Sequence, residues 1–207
     1  MEWNLEEAFY QRGFTAVAGV DEAGRGPLAG PVAAAAVILP PYVEIQGLND
    51  SKKLTPAKRD TVYEQVLECA LAWAVALVPA QKVDEVNILQ ATFLAMKQAL
   101  AELSVRADAV LVDGNRAFAW DVPLQTVVGG DAKSPSIAAA SVVAKVTRDR
   151  YMLRLHEQYP QYGFAAHKGY GSKAHYQAIG EYGLCPEHRR TFLKNLEEKH
   201  GYHTTDR

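Results

Sequence analysis

The sequence predicts an α/β domain: a mixed five-stranded sheet flanked by helices, with a C-terminal helical region. Three observations point there. Five short apolar runs rich in Val, Ala and Leu read as buried strands. The first three have one helix among them, between the second and third, which suggests an early hairpin; later strands alternate with helices, as parallel pairing requires. The chain, 207 residues long and 48% hydrophobic, can bury one core without disulfides or metal staples.

Each element has its own signal. Residues 15–21, TAVAGVD, are Val-rich and form the first strand. The segment EAGRGPLAGP that follows is a glycine- and proline-rich turn or functional loop. Val32–Leu39 is the second strand, closed by PPY. Thr55-Pro56 starts a helix, a hydroxyl at the N-cap and Pro at the first helical position, running to about residue 69. LAWAVALV is the third strand and ends at Pro79. Residues 81–103 carry a helical pattern, with Leu89, Phe93, Met96 and Leu100 at three- and four-residue spacing. DAVLVDG is the fourth strand, ending at Asp113, and Leu124–Val128 is the fifth. Ser134-Pro135 opens a long Ala-rich helix to about His156. Residues 1–207 read as a single domain, with about 155–207 as a helical and loop extension.

Composition removes several classes. At 22% charged, the chain is neither disordered nor fibrous. Two cysteines, Cys69 and Cys185, exclude a disulfide scaffold and a Cys-rich metal site and fit a reducing compartment. The longest apolar runs, Val32–Leu39 and Cys69–Val78, fall short of the ~20 residues that span a bilayer. The acidic start MEWNLEEAF has no apolar signal core, so the expected location is the cytoplasm. Acids outnumber bases up to residue 131; beyond it bases dominate and all six histidines occur. That asymmetry fits an acidic metal-binding half beside a basic half that meets phosphate, and equally the ordinary variation of solvated faces.

Four acids stand in unusual places. Asp21 and Glu22 end one apolar strand, Asp113 ends another, and Asp131 lies between a glycine pair and a helix start. Open α/β sheets place their sites at the carboxyl ends of strands. Singly, each acid is as readily turn chemistry or helix-dipole compensation; four at one edge make a site. Neighbours on a regular strand point to opposite faces, so Asp21 and Glu22 share a site only if the strand ends or bulges there. Crowded carboxylates repel and persist where a cation neutralises them. No His or Cys is interleaved, so oxygen ligands select Mg²⁺ or Mn²⁺ over Zn²⁺ or Cu²⁺. Two such ions about 3.5–4 Å apart suit phosphoryl displacement. A general carboxylate hydrolase stays open, although the basic C-terminal half favours a polyanionic substrate.

GRGPLAG is neither a P-loop nor a dinucleotide fingerprint: no Lys-Ser/Thr follows, the spacing is wrong, and Pro27 opposes a helix start. Gly24, Arg25 and Gly26 offer unshielded backbone beside one guanidinium, which suits a sugar-phosphate backbone; the plain alternative is a hairpin loop with a solvated Arg.

AGVDEAGRGPLAGPV at 18–32 resembles the signature opening of the bacterial ribonuclease HII family. The similarity continues through NDSKKL at 49–54, LVDGN at 111–115, GGDAKSPSIAAASVVAKVTRDR at 129–150 and HKGYGS at 167–172, in order across most of residues 17–180. The resemblance implies a ribonuclease H-like fold. It implies endonucleolytic hydrolysis of the RNA strand of RNA–DNA hybrids and nicking of duplex DNA 5′ to an embedded ribonucleotide, leaving a 5′-phosphate, in ribonucleotide removal during DNA repair and replication. It implies that Asp21, Glu22, Asp113 and Asp131 hold Mg²⁺ or Mn²⁺, two ions with substrate bound. Gly24, Arg25 and Gly26 would contact the ribose 2′-hydroxyl and the adjacent phosphate, and Tyr170 would read the junction. The sister type, ribonuclease HIII, carries an N-terminal extension domain and lacks this arginine; the early Asp-Glu pair and Arg25 favour type HII.

Further residues carry weaker signals. Lys52 and Lys53 precede a helix start and meet phosphate or form a solvated turn. Lys133 and Ser134 follow Asp131; Ser134 is most simply an N-cap, although a helix N-terminus also binds phosphate. Lys145 and Arg148 read chiefly as a solvated face. His167 and Lys168 flank the Tyr170 loop and are placed to approach substrate. His188, Arg189, Arg190 and Phe192 read mainly as an amphipathic helix. The expected partners are RNA–DNA hybrid and ribonucleotide-containing duplex DNA, with no membrane, and the default state is a monomer. The competing readings are another ribonuclease H-like nuclease acting on DNA and a catalytically silent hybrid-binding protein. A reader of the 2′-hydroxyl argues against the first, and retention of four acids against the second.

Overall fold

The computed structural model describes residues 1–194; residues 195–207, the end of the expected C-terminal extension with His200 and His203, lie outside the described residues. The five strands are β1 (Val17–Ala23), β2 (Val32–Ile38), β3 (Ala72–Val78), β4 (Ala109–Asp113) and β5 (Leu124–Val127). They form one sheet in the order β3-β2-β1-β4-β5. β1 pairs antiparallel with β2, and β2 with β3, whereas β4 lies parallel to both β1 and β5. The chain thus fills one side of β1 with a meander and returns to build the other side, the arrangement that opens a crevice at strand carboxyl ends.

Helices cover both faces. α2 (Pro56–Cys69) and the long α5 (Pro135–Gln158) pack on one, with Ala35, Val37 and Leu39 against Ala139, Val143 and Val146. α4 (Ile88–Ala101) packs on the other, with Ala34, Ala36 and Ile38 against Ala91, Ala95 and Ala99. β2 is buried at every position, and its four alanines let helices approach from both sides. α5 comes nearest at Gly19, where a Cβ would lie 2.0 Å from the Ser136 carbonyl carbon. α6 (Phe164–His167) and α7 (Lys173–Tyr182) follow, and Met152, Phe164 and Ile179 close a separate small core over Leu28 and Ala29.

Three expectations change. The pattern over 81–103 resolves into α3 (Ala80–Val86) and α4, broken at Asn87. Asn87 adopts φ +67° and its side chain accepts from Leu89 N and Gln90 N, a cap that a periodicity reading counts as helix interior. The acidic start contains α1 (Asn4–Tyr10), which sequence reading did not assign. Its Phe9 packs on Val17, Leu111 and Ile137, and buried Glu6 accepts from Ser134 Oγ at 2.6 Å and Ser136 N at 3.0 Å, capping α5. Finally, His188–Phe192 is not an amphipathic helix: His188 and Arg189 are buried, and Arg190–Phe192 make a single 3-10 turn.

Candidate active site

The strand register assembles the acids. Val20 pairs with Val112 across the parallel β1–β4 ladder, so Asp21 and Asp113, one residue further on, become neighbours at its carboxyl end. Glu22 follows Asp21 on β1, and the anticipated bulge is absent: pairing to β2 runs unbroken from Asp21↔Ala35 to Ala23↔Ala33. β1 instead outlasts its pairing with β4, which leaves both acids at an open crevice. Asp131 arrives from β5 through a 3-10 turn at Gly130–Ala132. Asp113 Oδ1 anchors that turn by accepting from Gly130 N at 2.6 Å. A Cβ on residue 130 would lie 3.2 Å from that oxygen and 2.5 Å from Ile137, which explains the glycine.

The acids disturb one another. Burial, then Glu22 and Asp113, hold the Asp21 carboxyl well above the usual range against a lowering hydrogen bond from Ser141. Glu22 is raised by burial and by Asp113, with Arg25 opposing at 3.3 Å. Asp131 is raised by burial, Asp113 and Asp50. Asp50 is a fifth acid that sequence reasoning did not single out, although it lies in the NDSKKL motif two residues before Lys52. Partial burial pushes the Lys52 ammonium down, but Asp131, Asp21, Asp50 and Asp113 together outweigh it and raise its pKa. Lys52 Nζ stands 3.8 Å from Asp131 Oδ2.

Among the described residues, no three acids, histidines or cysteines close around a metal position unaided. The donor set nonetheless fits a hard divalent cation. It is oxygen-only, and the raised carboxyls mark negative charge that one lysine and one arginine only partly offset.

A cleft of about 310 Å³ joins Glu22 to Gly24, Arg25, Gly26, Lys52 and Tyr170, with Ser51, Ser141 and Lys145 in its wall. Tyr170 is 47% exposed, and its ring edge lies 3.6 Å from where a Cβ of Gly26 would stand. The Arg25 side chain is half exposed and pairs with Glu22. Lys145 pairs with Asp149 at 2.7 Å. Lys53 faces Asp50 at 4.0 Å.

Other expected contacts fall away. Ser134 is fully buried; its hydroxyl accepts from Ile137 N and donates to Glu6, so it caps α5 and has nothing left for phosphate. Lys133 does not line the cleft, and its ammonium donates to Val128 O at 2.6 Å. His167 is spent within its own loop, bonded to Tyr162 O and Gly169 N. Arg148, read as solvated, is buried and donates to Pro31 O, Ala29 O and Lys168 O.

The family model described as Ribonuclease HII matches residues 18–196. A ribonuclease HII of Dechloromonas aromatica is 58% identical over 176 residues, covering 85% of this chain and 90% of that protein. One from Endomicrobium trichonymphae is 53% identical over 191 residues, covering 92% of this chain and 91% of that protein. The crystal structure of ribonuclease H2 from Pyrococcus horikoshii superposes with a TM-score of 0.73 at 29% identity, covering 88% of this chain and 97% of that one. With the family model matched over residues 18–196 and such relatives covering 85% and 92% of its length, this chain belongs to the ribonuclease HII family.

Proposed function

We propose that the crevice at the ends of β1 and β4 is where this chain carries out its family's reaction. Membership of the ribonuclease HII family makes it an endoribonuclease that hydrolyses the RNA strand of RNA–DNA hybrids and nicks duplex DNA 5′ to an embedded ribonucleotide. The observation that carries the assignment is the β1–β4 register, which sets Asp21 beside Asp113 with Glu22 and Asp131 around them. In our reading these four carboxylates hold Mg²⁺ or Mn²⁺. Two such ions supply an activated water and stabilisation of the leaving oxygen. Gly24 and Gly26 admit the sugar, Arg25 takes the adjacent phosphate, Lys52 adds positive charge beside Asp131, and Tyr170 stacks at the junction. In our reading the chain acts as a monomer. Residues 1–207 act as one catalytic unit on this reading: Arg189 of the extension beyond about residue 155 donates to the 24–31 loop, and Arg148 of α5 donates to Lys168 O within that extension.

The test is a DNA duplex carrying one ribonucleotide, with both products mapped. The expected cut lies on the 5′ side of the ribonucleotide and leaves it at a 5′-phosphate end. It should require Mg²⁺ or Mn²⁺ and stop with EDTA. A cut elsewhere, or undiminished cutting in EDTA, overturns the assignment.

A further inference from the structure

Two buried guanidiniums underlie the glycine-arginine-glycine loop. Arg189 donates Nη2 to Gly24 O at 2.6 Å, Nη1 to Arg25 O at 3.0 Å and Nε to Gly30 O at 3.0 Å. Arg148 donates Nε to Pro31 O at 2.9 Å, Nη2 to Ala29 O at 3.1 Å and Nη1 to Lys168 O at 3.1 Å. Their exposures are 0% and 1%. No ion pair among the described residues includes either one. A buried cation with no carboxylate in ion-pair contact is costly, and two of them spent on one loop imply that the exact aim of its peptides matters.

That aim follows from peptide geometry. The chain has no cis peptide among its described residues, and a trans peptide points its N–H opposite its C=O. With Gly24 O and Arg25 O turned inward to Arg189, the N–H groups of Arg25 and Gly26 face outward to the cleft. Neither N–H has a backbone acceptor among the described residues. Arg148 fixes the same loop from the other side. Its Nε would lie 2.0 Å from a Cβ on Gly24, so the glycine is the seat of the guanidinium. Its bond to Lys168 O ties this loop to the segment that carries Tyr170.

Taking the cleft as the ribonucleotide reader proposed above, we infer that Arg189 and Arg148 are positioning residues that set its sugar selectivity, by aiming the Arg25 and Gly26 amides at the 2′-hydroxyl. A ribose oxygen accepts from these amides. A bound deoxyribose would cover these aimed donors without giving them an acceptor, the kind of mismatch that discriminates far more strongly than lost apolar contact. Neither arginine touches the substrate; each acts through backbone that does.

The test measures binding as well as turnover. A labelled DNA duplex with one ribonucleotide and the all-DNA duplex of the same sequence are titrated in Ca²⁺ buffer with wild type, Arg189→Met and Arg189→Lys, and each protein's melting temperature is recorded. The wild type should prefer the ribonucleotide duplex. In Arg189→Met that preference should fall at least about tenfold, with all-DNA affinity unchanged, because the amides lose their aim while the phosphate contacts persist. Arg189→Lys keeps a charge but not the three-way fork, so it should show the same loss at a melting temperature near wild type. It carries the test if the Met variant does not fold. A folded variant with undiminished preference overturns the inference. A wild type that shows no preference and does not cut overturns the functional reading instead, so the two failures are distinct.

Discussion

The proposed site has two halves built on opposite principles. On the acid side, Asp21, Glu22, Asp113 and Asp131 are set close by the strand register and left in mutual repulsion. On the reader side, the carbonyls of Gly24, Arg25, Ala29, Gly30 and Pro31 all accept from buried guanidiniums, and the loop is fully determined before any ligand arrives. On the proposed reading the first half is completed by a cation, whereas the bonds of the second are already made in the fold. Chemistry is thus left conditional, while discrimination is built in.

The largest expected effect breaks the acid side. Asp113→Asn keeps the shape and the bond to Gly130 N but loses the charge that retains a cation. Hydrolysis of a fluorescent hybrid should be abolished while duplex binding persists; near-normal turnover would remove Asp113 from the catalytic set. Asp21→Asn should behave alike.

Next in size is the reader side. Tyr170→Ala should cut activity on a single-ribonucleotide duplex by about tenfold, the loss of ~1.4 kcal/mol of transition-state binding, with an unchanged melting temperature. Equal activity of variant and wild type would make Tyr170 a bystander at the cleft rim.

The smallest effect is one of sign. Beneath the Tyr170 loop, Cys185 N donates to His188 Nδ1, the two Nε2 atoms of His188 and His175 meet at 3.1 Å, and His175 Nδ1 bonds Tyr170 O at 2.9 Å. This chain of bonds is satisfied only by neutral rings. Burial depresses His175 to about 4, and burial with His175 beside it depresses His188 to about 3. Above the unfolded value of 6.5 both rings are neutral in either state and cost nothing. As pH falls below it, the unfolded chain binds protons that the folded chain cannot, so stability drains away towards pH 3–4. The raised acids do the reverse: folded, they hold protons more tightly, so acid relieves them. A His188→Gln variant should therefore show a shallower loss of melting temperature between pH 6.5 and 4 than wild type. Parallel curves would mean that the histidines do not set the acid response.

What the sequence disclosed was local. Strands, the acids at their ends and the capped start of α5 each depend on a few adjacent residues, and all appear where expected. Asn87 hid because one positive-φ cap interrupts a pattern that periodicity reads as continuous. Arg148 and Arg189 hid because charge alone signals solvent, while all but one of their acceptors lie more than a hundred residues away in the chain. Ser134 was legible as a cap, but Glu6, which occupies the rest of its hydroxyl, comes from 128 residues upstream. The glycine-rich loop did carry a hint: five closely spaced carbonyls need donors from somewhere.

Gly19 has no chemistry of its own, yet it acts as a spacer gauge. The missing side chain sets the height at which α5 rides over the sheet, with the Ser136 carbonyl 2.0 Å from where a Cβ would stand. Two residues along the strand is Asp21, and little more than a turn along the helix is Ser141, which bonds it. A methyl group at position 19 would lift the whole rod, and the lift would be felt first by that carboxylate. The working tolerance of this nuclease is therefore machined into a residue whose contribution is the absence of an atom.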